Sequence, residues 1–417
     1  MSPLLHLLLG EAGCLLIAWA MSERRDAILW RTVVGGVLLQ LALGALLLKV
    51  PLARAPLRLL DHGANALQAA SEAGTSFVFG FLGGGPLPFA ETQPGAGFVL
   101  AFRALPLVLL ISALAALLFH WGVLQRIVAA FAWLLRRTLG ISGPLALGAA
   151  VHVFVGMVEA PLLVRPYLAG MQRGELFALM SCGLAGVAGT VMVIYAGFLH
   201  PLIPDALGNI LVASVVSTPA ALAISAVMVP FGPEEGGEEA ELAVSEPASG
   251  ALDALVRGTA AGVPILIGII ATLIVAVATV ALANASLGLL PHWGGEALSL
   301  QRIFAWPFRP LMWLIGVPWP ESNEAARLMA SKTVLNEFVA YRDLAGLPPE
   351  TFATRTRLIV TYALCGFANF GSLGILVGGL GVMLPERRTE VIQLGLRSVL
   401  AGTLATCMSG AVAGALA

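Results

Sequence analysis

The sequence predicts an all-α polytopic membrane protein with about eight transmembrane helices and two re-entrant hairpins. Composition is the first observation: 58% of the 417 residues are hydrophobic and only 11% are charged, whereas soluble domains carry about 25% charged residues. The second is a series of apolar segments that reach the ~20 residues needed to cross a bilayer. The third is an order of elements that occurs twice along the chain, as in many secondary transporters.

Eight segments are apolar and long enough to span a membrane as helices, which pair their own backbone polar groups as lipid requires. They are residues 3–20, 28–49, 97–120, 176–199, 207–230, 258–285, 356–383 and 390–416. The first segment contains Glu11, has no positive charge before it and is followed by Arg24 and Arg25. We therefore expect a retained helix and not a cleaved signal peptide.

Two further segments, 51–70 and 122–139, have an apolar face and a face with Arg or His. This pattern predicts helices that lie at the membrane interface. Basic residues in the short loops 21–31 and 384–389 place these loops in the cytoplasm. Both termini are then expected outside the cytoplasm, in a bacterial inner membrane, although the basic residues of 49–58 oppose this orientation.

Two apolar segments, 144–170 and 322–345, contain charged residues that a continuous lipid-facing helix would not hold. We predict that both are re-entrant hairpins buried within the protein. Each holds one glutamate, Glu159 or Glu337, and each is followed by a Cys-Gly-x-Ala motif and two apolar helices. An odd number of crossings separates the two copies, which predicts an inverted repeat. For the motif alone, chance similarity in a chain rich in Ala, Gly and Leu is an equal alternative.

This order divides the chain into five parts. Residues 1–143 form the N-terminal helices and a scaffold region, and residues 144–230 form the first repeat. Residues 231–257 form an acidic cytoplasmic linker with an interfacial segment. Residues 258–321 form a scaffold helix and a connection, and residues 322–417 form the second repeat.

The two hairpin glutamates are the first candidates for function. A carboxylate at membrane depth costs several kcal/mol unless it is paired or faces water, so it marks a functional site by default. The alternative is a structural ion pair, of Glu159 with Arg165 or of Glu337 with Lys332.

Polar residues in the last repeat suggest a site for a sugar and a planar ring. Asn369 and Ser372 lie three apart on an otherwise apolar helix, and an amide can both donate to and accept from sugar hydroxyls. Phe367 beside them can stack on a ring. The alternative is a hydrogen bond between packed helices.

Two features of the first repeat suggest a cation. The glycine-rich stretch 183–189 predicts either an unwound segment with exposed carbonyls or close helix packing. His152 is either a structural histidine or, near Glu159 at membrane depth, a proton relay.

Several classes of function are disfavoured. The four cysteines lie in apolar segments without metal-ligand spacing, so neither a metal site nor a disulfide framework is expected. The net charge of -1 gives no reason to expect nucleic acid as a partner. The chain lacks the HExxH, GxSxG and P-loop motifs. We expect neither an enzyme nor a bound cofactor other than a co-transported cation.

Several motifs resemble those of the concentrative nucleoside transporters. They are the stretch Lys332–Tyr341 (KTVLNEFVAY), the stretch Ala363–Asn369 (ALCGFAN), and residues 378–381, 385–388, 301–304 and 316–319. The resemblance extends from about residue 97 to the C-terminus. It implies a bacterial nucleoside importer driven by cation symport, built as a homotrimer, with a transport domain that moves like an elevator against a scaffold.

The resemblance also implies roles for individual residues. In the family, a hairpin glutamate and the Asn and Ser of the following broken helix bind ribose. These three residues correspond to Glu337, Asn369 and Ser372. Phe367 corresponds to a residue that lines the site.

The first hairpin departs from the family pattern. The family has a Gln and a Thr or Ser that contact the base, where this chain has Met157 and Val158. Glu159 is retained, and Val191 matches an apolar contact to the base. Base recognition is therefore expected to be unusual.

The sodium site of the family is also altered. Sodium-coupled members have an Asn where this chain has His152, and a Ser where we align Gly186. Backbone carbonyls of Val155 and Val187 could still bind Na⁺, but two side-chain oxygens are missing. We therefore expect proton coupling, with His152 or Glu159 as the carrier.

Two alternatives remain open. The same fold could carry a modified nucleoside or another small molecule, or the chain could be a nucleoside-binding membrane protein that does not transport. Binding without accumulation would identify the latter.

Overall fold

The computed structural model describes residues 2–90, 97–157, 159–200, 202–232, 248–292, 295 and 297–417. The acidic part of the predicted linker, 233–247, lies outside the described residues. Helices up to the first repeat are α1 (Pro3–Ala20), α2 (Trp30–Lys49), α3 (Pro51–Phe79), α4 (Leu100–Arg103), α5 (Leu107–His120) and α6 (Val123–Leu139). The first repeat holds α7 (Gly143–His152), α8 (Glu159–Leu163), α9 (Arg165–Leu168), α10 (Arg173–Ala185), α11 (Gly189–Leu199) and α12 (Ala206–Met228). The remaining α-helices are α13 (Ala251–Leu287), α14 (Leu300–Leu314), α15 (Ser322–Val334), α16 (Glu337–Gly346), α17 (Thr354–Leu364), α18 (Phe370–Met383) and α19 (Arg388–Leu416).

Seven helical segments of the described chain are long and apolar enough to cross a membrane. They are Pro3–Ala20, Trp30–Lys49, Leu100–His120, Arg173–Leu199, Ala206–Met228, Ala251–Leu287 and Pro385–Leu416. The eighth predicted span, 356–383, is instead two short helices, α17 and α18, separated by residues 365–369. The span 176–199 is also interrupted, at residues 186–188 between α10 and α11. Hydropathy does not reveal these breaks because the residues within them are themselves mostly small or apolar.

Both segments that were predicted to be amphipathic are helical. The helix α6 buries Val128, Ala132, Leu135 and Leu139 on one stripe, the spacing of a helix with one apolar face. The helix α3 extends to Phe79, beyond the predicted end at residue 70.

Both predicted hairpins are present as two helices joined by a turn. In the first, hairpin 1, α7 ends at His152 and α8 begins at Glu159. In the second, hairpin 2, α15 ends at Val334 and α16 begins at Glu337. The side chain of Asn336 caps α16 by accepting a hydrogen bond from the Val339 N–H at 3.0 Å.

The order of a hairpin, a broken helix and a continuous helix occurs twice, from α7 to α12 and from α15 to α19. The two Cys-Gly-x-Ala motifs do not occupy equivalent places in it. Cys182 lies inside α10, which continues to Ala185, whereas Cys365 is the first residue of the break after α17. The two motifs are therefore offset by about one helical turn relative to the breaks.

The two helix breaks cross each other in the centre of the protein. The Phe367 N–H donates to the Gly186 carbonyl at 3.2 Å, which joins one break to the other. A Cβ atom on Gly366 would lie 2.8 Å from the Leu184 carbonyl oxygen. Only glycine allows the two backbones to approach so closely.

The remaining long helices form two groups. The helices α1 and α2 pack on α12 and α19 of the two repeats, and Gly36 of α2 permits this because a Cβ there would lie 2.7 Å from the Pro219 carbonyl oxygen. The helices α5 and α13 pack along each other instead. Most of α13 is exposed, as expected for a helix that faces lipid or another subunit.

Charged residues join the two repeats at one end of the bundle. Glu23, in the loop after α1, contacts Arg173 at the start of α10 at 3.0 Å and also Arg397 of α19. Arg387 pairs with Glu390 at 2.7 Å and donates to the Met171 carbonyl. The hydrogen bond from Arg173 holds the pKa of Glu23 below its usual range.

We expect Glu23→Gln to lower stability at neutral pH by ~1 kcal/mol or less, as for other partly exposed ion pairs. Because the pKa of Glu23 is lowered in the folded protein, its contribution is complete above the ordinary pKa of about 4.3 and is lost as the pH falls through the folded-state value. Apparent melting temperatures in detergent from pH 7 to pH 3 measure this, with Glu386→Gln as the exposed control. A difference between wild type and variant that persisted at pH 3 would contradict the assignment.

Candidate functional site

A cavity of about 330 Å³ lies between the two hairpins, the two helix breaks and α13. Its lining includes most of the substrate residues predicted from sequence: Met157, Glu159, Val191, Glu337, Phe367, Asn369 and Ser372. Val158 lies outside the described residues. Residues separated by more than 200 positions in sequence thus meet at one site.

Glu337 is a polar group of the cavity lining that two donors hold in place. One oxygen of its carboxylate accepts a hydrogen bond from the Tyr195 hydroxyl at 2.7 Å, and the other accepts from the Asn369 Nδ2 at 2.8 Å. The residue is 5% exposed. Two donors therefore fix the carboxylate, and each oxygen keeps lone pairs that can accept from a hydroxyl group of a ligand.

Asn369 has two functions in this arrangement. It is the N-cap of α18, and its Oδ1 accepts from the Ser372 N–H at 2.7 Å. This leaves its Nδ2 directed at Glu337. The helix α18 thus begins at this residue because an N-cap asparagine pairs a backbone N–H that would otherwise lack a partner in the membrane.

The helices α8, α11, α16 and α18 all begin at the cavity, two from each repeat. The N-terminus of a helix carries free N–H groups and a partial positive charge. Their convergence favours oxygen-bearing ligands at membrane depth.

The cavity lining also holds apolar side chains. They include Met157, Val191, Ile194, Phe367 and, from α13, Ile265. Flat apolar surfaces of this kind suit a planar ring, which an aromatic side chain can stack on or contact by its edge.

Glu159 lies in the cavity wall close to the backbone of hairpin 1. A Cβ atom on Gly156 would lie only 2.0 Å from the Oε2 of Glu159, so a larger residue at 156 would displace the carboxylate. Within the described part of the chain, no ion pair joins Glu159 to Arg165. Its carboxylate is half-buried and accessible to the cavity.

The ion pair considered for Glu337 is also not formed. Lys332 donates to the Ala363 carbonyl at 2.8 Å and to the Thr406 hydroxyl at 3.2 Å. Glu337 instead uses the donors Tyr195 and Asn369. The alternative of a structural ion pair, with Arg165 or with Lys332, is therefore wrong for both hairpin glutamates in the described part of the chain.

The residues considered for cation coupling, other than Glu159, do not line the cavity. His152 is 4% exposed and packs on α10, where a Cβ on Gly183 would lie 2.9 Å from the imidazole Cε1. Neither ring nitrogen of His152 has a hydrogen-bond partner within the described chain.

The break between α10 and α11 holds two of the other three, Gly186 and Val187. The Gly186 carbonyl accepts from Phe367, and the Val187 N–H donates to the Ser214 Oγ at 3.3 Å. Val155 belongs to the turn of hairpin 1 that faces this break, where the Phe154 carbonyl accepts from the Gly189 N–H at 3.3 Å.

Sequence reasoning missed several lining residues, above all Tyr195. This residue follows Val191 by four positions and therefore lies on the same face of α11. A tyrosine inside an apolar span, one turn from a candidate contact, was the signal that could have found it. Thr190, Thr272 and Asn336 also line the cavity and carried no comparable pattern.

Comparison with protein families gives three matches that cover most of the chain. Residues 209–414 match the family described as "Na+ dependent nucleoside transporter C-terminus", and residues 9–82 match its N-terminal counterpart. Residues 101–202 match a family described as "Nucleoside recognition".

Individual relatives extend over nearly the whole chain. An "Uncharacterized transporter" of Haemophilus influenzae is 38% identical, over 98% of this chain and 96% of its own length. "Nucleoside permease NupC" of Helicobacter pylori is 34% identical, over 97% of this chain and 96% of its own length. The solved structure of CNTnw in an inward-facing substrate-bound state is 39% identical and covers both chains completely, with a TM-score of 0.89.

Proposed function

The chain belongs to the concentrative nucleoside transporter family, and we propose that it imports nucleosides together with a cation. The observation that supports this most is the lining of the cavity, which combines the fixed carboxylate of Glu337 with apolar side chains such as Val191 and Phe367. A nucleoside has the same combination, with a polar sugar and a planar base.

In the proposed complex, the ribose hydroxyls donate to Glu337 and exchange hydrogen bonds with Asn369 and Ser372. The base lies against Phe367, Val191 and Met157. The loss of the two polar side chains that the family resemblance implies for hairpin 1 leaves fewer donors and acceptors for the base. Sugar recognition is then conventional, and discrimination between bases is weak or shifted.

The proposed mechanism moves the site as a unit across the membrane. The two hairpins and broken helices, together with α1, α2, α12 and α19, form one packed body, and the paired helices α5 and α13 form the scaffold beside it. A cation and a nucleoside can drive this movement only by binding one arrangement more tightly than another. A cation that neutralises Glu159 would lower the electrostatic cost of the loaded crossing.

We propose that the coupled cation is a proton, carried by His152 or Glu159. The family resemblance implies two side chains that offer oxygen to sodium, and this chain has His152 and Gly186 in their places. His152 is a candidate because, within the described chain, neither of its ring nitrogens has a hydrogen-bond partner. Sodium dependence in the named family makes sodium the alternative cation.

Assembly and orientation belong to the same proposal. We propose a homotrimer in the inner membrane of a bacterium, with both termini outside the cytoplasm. The long apolar α13, with little of its surface buried within one chain, is available for contact with neighbouring subunits.

A modified nucleoside or another less polar molecule is the second candidate cargo. The specific observation in its favour is Met157, which contributes an apolar side chain to the cavity where the family resemblance implies a hydrogen-bonding one. Such a cargo would keep the ribose contacts and alter the base.

The deciding experiment is uptake of radiolabelled uridine and adenosine into proteoliposomes, with a proton gradient and a sodium gradient imposed separately. We expect accumulation above equilibrium with the proton gradient, and its loss when an ionophore dissipates that gradient. Vesicles without protein and vesicles with Glu337→Gln are the controls.

Accumulation driven by sodium alone would overturn proton coupling but keep nucleoside transport. Binding without accumulation under either gradient would indicate the non-transporting alternative. Uptake of a radiolabelled base-modified nucleoside, without uptake of uridine or adenosine, would indicate the second cargo.

A further inference from the structure

One of the two lysines of the chain lies where a charge is most costly. Lys332, on the first helix of hairpin 2, is 0% exposed, whereas Lys49 at the end of α2 is exposed. Burying an ammonium group costs several kcal/mol unless its surroundings compensate. A methionine would fill a similar volume without this cost, so packing alone does not account for a lysine here.

The partners of this ammonium group are neutral oxygens. The Nζ of Lys332 donates to the Ala363 carbonyl at 2.8 Å and to the Thr406 Oγ1 at 3.2 Å. Among the described residues, no carboxylate lies within 4.0 Å of it. A carbonyl and a hydroxyl oxygen from two different helices are the surroundings that a small bound cation would have.

The helix break explains the need for a cation at this point. Ala363 is in the last turn of α17, which stops at Leu364 in the middle of a predicted span. Carbonyls of a last turn have no donor within the helix and carry its partial negative charge. Lipid supplies no water to pair them. The ammonium of Lys332 both donates to one of these carbonyls and compensates the charge.

In the first repeat, the backbone polar groups at the helix break have different partners. The helix α10 stops at Ala185, and the carbonyl of Gly186 accepts from the Phe367 N–H. Hairpin 1 presents the unpartnered ring of His152 to α10. A permanent cation is therefore present at the break of the second repeat and not at that of the first.

Lys332 also affects the substrate site without lining it. It is on the same hairpin as Glu337, five positions earlier, and it connects that hairpin to both α17 and α19. Asn369, the partner of Glu337, is the last residue of the break after α17. Fixing hairpin 2 on the end of α17 thus fixes Glu337 and Asn369 relative to each other.

We propose that the ammonium of Lys332 is a resident cation of the second repeat. It is not transported, it caps the broken helix α17, and it holds hairpin 2 so that Glu337 and Asn369 meet the sugar. Lys332 is a positioning residue, and the cation-driven change of the cycle is confined to the first repeat. The role of Lys332 in positioning the sugar site rests on the proposed nucleoside transport, whereas its role as a resident cation does not.

The test compares Lys332→Ala, Lys332→Met and Lys332→Arg with the exposed control Lys49→Ala. Exchange of internal and external uridine across proteoliposomes gives KM and kcat without any ion gradient. We expect Lys332→Ala and Lys332→Met to raise KM by at least tenfold, Lys332→Arg to retain part of the function, and Lys49→Ala to match wild type. Methylammonium on both sides should lower the KM of Lys332→Ala severalfold, whereas N-methylglucamine of equal concentration should not.

A second measurement separates the cation role from the cargo. In detergent, methylammonium should raise the apparent melting temperature of Lys332→Ala but not that of wild type, whatever the protein carries. Absence of uridine exchange in wild type would count against the proposed function and leave this measurement decisive. A Lys332→Met variant with KM within twofold of wild type, or a folded Lys332→Ala variant that does not respond to methylammonium, would overturn the proposal.

If the alanine variant does not fold, Thr406→Val decides. It removes one acceptor of the ammonium, keeps the side-chain volume and leaves Lys332 in place. We expect a several-fold increase of KM and a lower melting temperature. No change in either quantity would overturn the proposal.

Discussion

Glu337→Gln is expected to reduce kcat/KM for uptake of ribonucleosides by at least about 100-fold. The substitution removes the charge and replaces one acceptor oxygen by an amide donor. The Tyr195 hydroxyl or the Asn369 amide then faces another donor, and the ribose loses a charged acceptor. Hydrogen bonds to charged groups contribute about 1.5–3 kcal/mol each, and two such bonds correspond to a factor of 100 or more.

Uptake in proteoliposomes at several concentrations of uridine measures this loss. Glu324→Gln is the matched control, because it makes the same chemical change on the first helix of the same hairpin, where Glu324 contacts Arg327 at 3.7 Å away from the cavity lining. Tyr195→Phe should give an intermediate loss of about tenfold, since it removes one donor and keeps the carboxylate. Near-normal uptake by Glu337→Gln would remove Glu337 from the site.

Most of the architecture could be predicted because lipid places strong demands on sequence. A span must be apolar over about 20 residues and must pair its own backbone, so composition alone identified the long helices. Interruption by charge identified the hairpins, since Glu159 and Glu337 have no place on a lipid-facing surface. The breaks of the two interrupted helices left a weaker trace. The glycine-rich stretch 183–189 predicted either an unwound segment or close helix packing, and the structure has a break at residues 186–188. Cys365 is as compatible with an apolar helix as with its interruption.

Some residues of the candidate site could likewise be predicted from the sequence, and others could not. Glu337 and Asn369 stand out from apolar surroundings, and the structure places them in contact. Tyr195 did not stand out, because its aromatic ring is ordinary in a span and only its hydroxyl makes the contact with Glu337. Lys332 was considered only as an ion-pair partner, since sequence gives the distance along the chain and not the direction of a long side chain.

The double substitution His152→Asn with Gly186→Ser is expected to convert the transporter to sodium coupling. It restores the two side-chain oxygens that the family resemblance implies for sodium-coupled members. The structure has room for the new serine, because a Cβ on Gly186 would lie 3.6 Å from the Ser214 Cβ, an ordinary contact. An asparagine is smaller than the imidazole that packs on Gly183, and its amide supplies an acceptor where the two ring nitrogens have no partner.

The measurement is nucleoside accumulation in proteoliposomes under a sodium gradient at fixed pH, for wild type, both single variants and the double variant. We expect at least a tenfold gain in sodium-driven accumulation for the double variant and little gain for either single one. His152→Ala is the matched control, since it removes the imidazole without supplying an oxygen, and should give no sodium-driven uptake. If wild type already accumulates nucleosides with sodium, the carbonyls of Val155 and Val187 suffice for the cation and the replaced side chains do not determine the ion. If the folded double variant still responds only to protons, the carrier is Glu159, whose carboxylate faces the cavity and is unchanged by either substitution.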